Sequence, residues 1–172
     1  MEHVSEMTRD DTTTDLLNDR SDYQQCYVCG QRNTRGLRVV YRQAGELIET
    51  DFTPMEEHQG YPGFCHGGVL TALLDETAGR AAMLERKWVM TMKLETRFRR
   101  PVRIRQRLTI QGWPVRWRGR ILEAKAQVLL PDGTVAIDAA GLFVRMPKDV
   151  GEEAAQNLPS FRDFWRTTDA GA

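Results

Sequence analysis

The sequence predicts an α+β domain in which an antiparallel sheet curves around one long helix. Three observations point there. Residues 67–86, GGVLTALLDETAGRAAMLER, contain no proline and carry apolar residues on nearly every face, as a helix buried all round does. The segments after it alternate apolar and polar residues: Leu122, Ala124, Ala126 and Val128 against Glu123, Lys125 and Gln127. That period of two belongs to strands with one wet face. Glycine-bearing turns at Arg118–Gly119 and at 131–133 then join successive strands as hairpins.

In chain order, residues 1–22 are polar, acidic and without periodicity, and read as a disordered tail. Residues 37–41 and 47–53 are short β-rich runs split by Gly45, a first hairpin. A loop at 59–63 leads into the helix, whose small residues (Gly68, Ala72, Ala78, Gly79, Ala81, Ala82) allow close wrapping by a sheet. Strands are expected over 88–99, 102–115, 121–130 and 134–146, with Val102, Ile104, Leu108 and Ile110 forming the apolar face of the second. The domain is therefore 23–147. Residues 148–172 form a polar C-terminal tail with a short helix expected near 161–165.

A chain of 172 residues buries enough surface to fold without a disulfide or metal. Three cysteines do not make an extracellular disulfide framework. No apolar run is long enough to span a bilayer, and the acidic N-terminus has no apolar core for a secretory signal. The expected compartment is the cytoplasm, with no membrane partner. Formal charge sums to zero, yet residues 1–22 carry −5 and 148–172 carry −2, leaving +7 on the body. Nine arginines lie between Arg97 and Arg120 with no acid among them. Such a face suits an anionic ligand, or is simply solvated.

The chemistry concentrates in residues 60–76, GYPGFCHGGVLTALLDE. Gly67 and Gly68 open the helix, where backbone N–H groups are unpaired donors at the positive end of the dipole. Without a Cβ they admit a ligand oxygen that becomes an oxyanion; they equally permit a tight turn. Asp75 is sharper. A carboxylate on an apolar helix needs a partner, and Gly79 and Ala78 offer it no cation. It is a candidate general base or nucleophile, or else a group bonded to a nearby N–H. Glu76 has Arg80 four residues on and reads as a structural ion pair. Gly67 and Asp75 are eight residues apart, about 12 Å along a helix. One carbonyl carbon cannot sit against both in a single chain, so joint action requires two subunits.

His66 is a candidate base, though bracing the turn is the favoured reading. Cys65 beside it points the opposite way and is not expected to act as a nucleophile. Cys26 and Cys29 have the spacing of half a zinc knuckle, but a structural site needs four ligands. Buried thiols are the favoured reading, with no metal expected.

The stretch HGGVLTALLDE, with an aspartate nine positions after the histidine, resembles the hotdog-fold acyl-CoA thioesterases of the phenylacetate-pathway type. The upstream PGFCHGG is similar to the mitochondrial long-chain acyl-CoA thioesterase branch. TMKLETRFRRP at 91–101 resembles the family's strand after the helix, and CYVCGQRNTRGL at 26–37 an N-terminal element of many bacterial members. The resemblance covers about residues 23–147 and neither tail.

It implies a hotdog fold, an antiparallel β-sheet wrapped around one long central helix. It also implies roles. Asp75 matches the carboxylate that activates water or attacks the thioester. Gly67 matches the N–H that polarises the carbonyl from the facing subunit, and Thr91 the hydroxyl that orients the water. One position departs: many members carry Asn or Gln six residues before the histidine, where this chain has Gly60. Gln59 or His58 are the candidates to take that role. Arg99 and Arg100 lie nearest the site strand as partners for the phosphates of coenzyme A. The expected activity is hydrolysis of acyl-CoA to free acid and CoA by a homodimer or homotetramer. No cofactor is needed beyond the CoA of the substrate. The alternative is a hotdog acyl-CoA-binding or sensor module without turnover. A nucleic-acid role is not expected, because no DNA-reading helix pattern accompanies the arginines.

Overall fold

The computed structural model describes residues 24–157. The acidic tail at 1–22 and the helix expected near 161–165 lie outside the described residues. Six strands form one antiparallel sheet: β1 (Arg42–Ala44), β2 (Leu47–Phe52), β3 (Val89–Phe98), β4 (Leu108–Arg118), β5 (Ile121–Leu129) and β6 (Val135–Arg145). Their spatial order is β1-β2-β4-β5-β6-β3. Helix α1 (Gly67–Arg80) connects β2 to the far edge strand β3 and packs against the sheet, meeting β2 through β6.

The alternation read in the sequence decides which face is covered. Leu108 and Ile110 of β4, Leu122, Ala124, Ala126 and Val128 of β5, and Ile137 and Phe143 of β6 are all buried beneath the helix. Leu70, Leu73, Leu74 and Ala78 meet them from α1. Burying a leucine side chain such as Leu73 or Leu74, neither of which has any exposed surface, contributes about 1.5–3 kcal/mol. The close approach depends more on the sheet than on the helix glycines. A Cβ at Gly112 of β4 would lie 2.5 Å from the carbonyl oxygen of Thr77, so the helix backbone rests where a side chain would stand.

Several elements differ from their sequence-based bounds. Residues 37–41 are not a strand. Arg38 adopts φ 53°, and Leu37 and Val39 donate to the carbonyls of Tyr27 and Val28, so this run pairs with the Cys26–Cys29 turn instead of the sheet. The second of the four later strands begins at Leu108, not Val102. Cys65 N–H bonds to Val102 O, Ile104 N–H to Gly63 O, and Arg105 sits at φ 61° donating its N–H to Pro54. Residues 102–105 therefore brace the glycine loop. The helix ends at Arg80, and Ala81–Glu85 continues as a 3-10 turn closed by Arg86 at φ 55°. A second helix, α2 (Lys148–Asn157), forms earlier than the one expected near 161 and places Ala155 against Trp88 and Met146.

β3 is left at the sheet edge with only β6 beside it. Its side chains are unusually open for a strand of this length: Met90, Met92 and Phe98 are 41%, 56% and 51% exposed. A long edge with apolar side chains is a template for pairing with another chain.

Candidate active site

β3 runs antiparallel to α1 along the edge of the molecule. Near one end Thr91 meets Asp75: the Thr91 hydroxyl donates to Asp75 Oδ1 across 2.8 Å. At the other end Phe98 lies against Gly67, its ring 3.3 Å from where a Cβ would be. The strand thus links both ends of the expected site to one surface, though Gly67 and Asp75 stay two helical turns apart in the single chain.

Asp75 is half-buried, not deeply buried as its apolar neighbours imply, because α1 turns this face toward the edge strand and not into the sheet. Burial raises its carboxyl above the ordinary range, the Thr91 hydrogen bond opposes that rise, and the charge of Glu76 adds to it. A carboxylate in that state is more basic than one in water, as proton abstraction requires.

At the helix start, His66 is the N-cap and its Nδ1 accepts the Gly68 N–H at 2.9 Å. That is the bracing role, and it engages the Gly68 donor. Val69 and Leu70 bond back to the His66 carbonyl. Among the described residues nothing accepts the N–H of Gly67. An unpaired donor at a helix N-terminus, flanked by half-exposed glycine, is placed to polarise an approaching oxygen.

The remaining expected contacts sit elsewhere. Gln59 Oε1 accepts from Gly63 N–H at 2.7 Å and its amide donates to Glu56 O. His58 Nδ1 accepts from Met55 N–H, and its ring packs edge-on to Phe52. Both side chains are engaged in holding the loop. Arg99 pairs with Asp138; it and Arg100 follow Phe98 and so lie at the Gly67 end of the site, away from Asp75 of the same chain. Five of the nine arginines in the window meet carboxylates: Arg99, Arg105 and Arg107 pair with Asp138, Glu56 and Asp51, distant in sequence, and Arg116 and Arg118 share the nearby Glu123. Exposed pairs of this kind add little stability, but they reduce the free charge facing solvent. Two surface clefts, one along Leu47, Leu84 and Trp113 and one along Leu37, Tyr41 and Val69, contain neither Asp75 nor Thr91.

Sequence reasoning missed Phe98 as the neighbour of Gly67, since nothing in the strand pattern fixes its phase against the helix. It also missed the surroundings of Glu76 and Arg80. The 2.9 Å ion pair forms as expected, but Arg80 is buried, lies 4.8 Å from the centre of the Tyr41 ring, and donates to Cys29 Sγ.

Residues 62–137 match the family model of the Thioesterase superfamily. A solved thioesterase-superfamily protein superposes with a TM-score of 0.67 at 32% identity, over 70% of this chain and 63% of that one. The fold is the hotdog fold. A hypothetical thioesterase from Streptococcus pneumoniae, solved with coenzyme A, shares it at 16% identity and a TM-score of 0.59, over 63% of this chain and 88% of that one. Among curated relatives, the acyl-coenzyme A thioesterase THEM4 of Rattus norvegicus is 30% identical over 64% of this chain and 48% of its own length. This chain spans about half the length of that relative. In this hotdog domain the Asp75–Thr91 pair and the Gly67 donor both fall within the segment matched to the family. Among the described residues no helix is long and apolar enough to cross a membrane.

Proposed function

We propose that this chain is an acyl-CoA thioesterase that works as a dimer or a pair of dimers. The observation that carries the reading is the Asp75–Thr91 pair on a half-open helix face, at the same edge as the free Gly67 N–H. The Gly67 N–H of one copy polarises the thioester carbonyl. Asp75 of the other copy, oriented by Thr91, takes a proton from the attacking water or attacks the carbonyl carbon itself. Collapse of the oxyanion expels the CoA thiolate, and on the second route water then hydrolyses the acyl–Asp75 anhydride to the free acid. The apolar edge of β3, where Met90, Met92 and Phe98 are exposed, supports a second copy at this surface, and the acyl chain would lie between the copies. Support for acyl-CoA as substrate comes from the THEM4 relative and the CoA-bound structure of the same fold. Arg99 and Arg100, beside the Gly67 end, are the candidates for the CoA phosphates.

Thiol release from short, medium, long-chain and phenylacetyl-CoA, wild type beside Asp75→Asn, tests this. We expect turnover on at least one thioester and a loss of about 10²–10⁴-fold in the variant. Binding of acyl-CoA with no hydrolysis of any member of the panel would instead assign a sensor module.

A further inference from the structure

The Cys26–Cys29 turn holds a cluster that thioester hydrolysis does not use. Cys26 Sγ, Cys29 Sγ and a carboxylate oxygen of Glu76 all lie within 4.8 Å of one another. The Cys29 thiol sits 3.8 Å from Glu76 Oε1, and Arg80 Nη2 donates to the Cys29 sulfur at 2.8 Å while its Nε holds Glu76 at 2.9 Å. The turn itself is tight. Gly30 N–H closes onto Cys26 O, and a side chain at Gly30 would collide with the Gln24 and Cys26 backbone. The backbone N–H groups of Cys29 and Val28 favour a negative charge on the Cys26 sulfur. Both cysteines are partly buried at the margin of the core, whereas Cys65 is buried.

We propose that Cys26 and Cys29 are a redox-active dithiol and a site of reversible disulfide formation, with Cys26 the attacking sulfur, Cys29 the resolving one and Glu76 the acceptor of the resolving proton. The two sulfurs are electrostatically unequal, as such a pair needs. The Cys29 thiol and the two N–H groups favour the Cys26 thiolate, lowering it to about 6 against burial. Cys29 is raised, first by giving its hydrogen to Cys26 and then by burial. Burial alone pushes Cys65 up to about 11 and keeps it inert. Three donor atoms this close also suit a cation, but the Arg80 guanidinium already lies against two of them and supplies that charge.

The chemistry balances with a low-molecular-weight disulfide, RSSR, as oxidant. The Cys26 thiolate attacks one sulfur, forms a Cys26–SR mixed disulfide and releases one thiolate. Cys29 passes its proton to Glu76, with Arg80 stabilising the sulfur as it becomes negative. It then attacks Cys26 Sγ and expels the second thiolate. Two protein thiols become one disulfide, and RSSR is reduced to two RSH that take up both protons.

The test is incubation of the full chain across ratios of oxidised to reduced glutathione, followed by alkylation and intact mass; no readout depends on hydrolysis. Wild type and Cys65→Ser are expected to lose two thiols and two hydrogens together, reversibly with dithiothreitol. Cys29→Ser should stop with one glutathione on Cys26, and Glu76→Gln should accumulate that mixed disulfide, closing about tenfold or more slowly. Cys26 and Cys29 staying alkylatable at the most oxidising ratio overturns the proposal. So does protection that ends only when a chelator removes one bound zinc. Unchanged closure in Glu76→Gln overturns the role of Glu76.

Discussion

The Thr91 hydroxyl donates to Asp75 Oδ1 at 2.8 Å, joining an edge strand to a helix face that the apolar sequence around Asp75 does not reveal. The bond favours the ionised carboxylate, while burial favours the neutral acid. Which form prevails at a given pH sets the availability of the base.

The acid limb of kcat/KM should therefore lie above the ordinary carboxylate range, activity rising with pH as Asp75 ionises. Thr91→Val removes the bond that holds the carboxyl down, so the limb should move to still higher pH. A pH–rate profile of both proteins checks it; an unmoved limb would show that Asp75 is not the titrating base.

The same shift has a sign for stability. A carboxyl raised on folding binds its proton more tightly in the native state. Its contribution is thus present below the unfolded value and lost as pH rises through the folded one. Asp75→Asn should gain stability relative to wild type between acid and neutral pH, read as a rising difference in Tm.

Complementation separates the two ends of the site. Gly67→Pro deletes the N–H at the first helical position, where proline is tolerated, and His66 at φ −66°, ψ 133° already has the backbone that precedes one. Gly67→Pro and Asp75→Asn should each be inactive alone. Mixed heterodimers should recover turnover, because one of their two sites keeps an intact Gly67 and an intact Asp75. No recovery in verified heterodimers would mean that both residues act within one chain.

Gly112→Ala places a Cβ 2.5 Å from the Thr77 carbonyl. Backbone cannot yield as a side-chain tip can, so a loss of about 1–3 kcal/mol is expected, read by urea unfolding. A wild-type midpoint would show that the helix can lift from the sheet at no cost.

Removing the cation beneath the cysteine turn should cost more. Arg80→Met keeps the length but leaves Glu76 and Cys29 without their donor and Tyr41 without its stacked guanidinium. Breaking such a buried pair costs about 3–5 kcal/mol, and the partial exposure of Glu76 places the expected loss at the lower end. The urea midpoint measures this as well.

Local pattern alone determined the single long helix, the alternating strands at 121–130 and 134–146, their hairpin turns, and the motif that marked His66, Gly67 and Asp75. Each rests on a period or a spacing that a linear string carries. The pairing of residues 37–41 with the cysteine turn, the bracing of the glycine loop by 102–105, and the left-handed backbone at Arg38 and Arg105 were decided by tertiary structure. An extended apolar run has the same pattern whatever strand or loop it bonds to. So too with the site. The sequence marked Asp75 and the family resemblance marked Thr91, but strand phase and helix rotation brought the hydroxyl to the carboxylate, turned Phe98 onto Gly67, and set Glu76 and Arg80 against Cys29, 47 and 51 residues away.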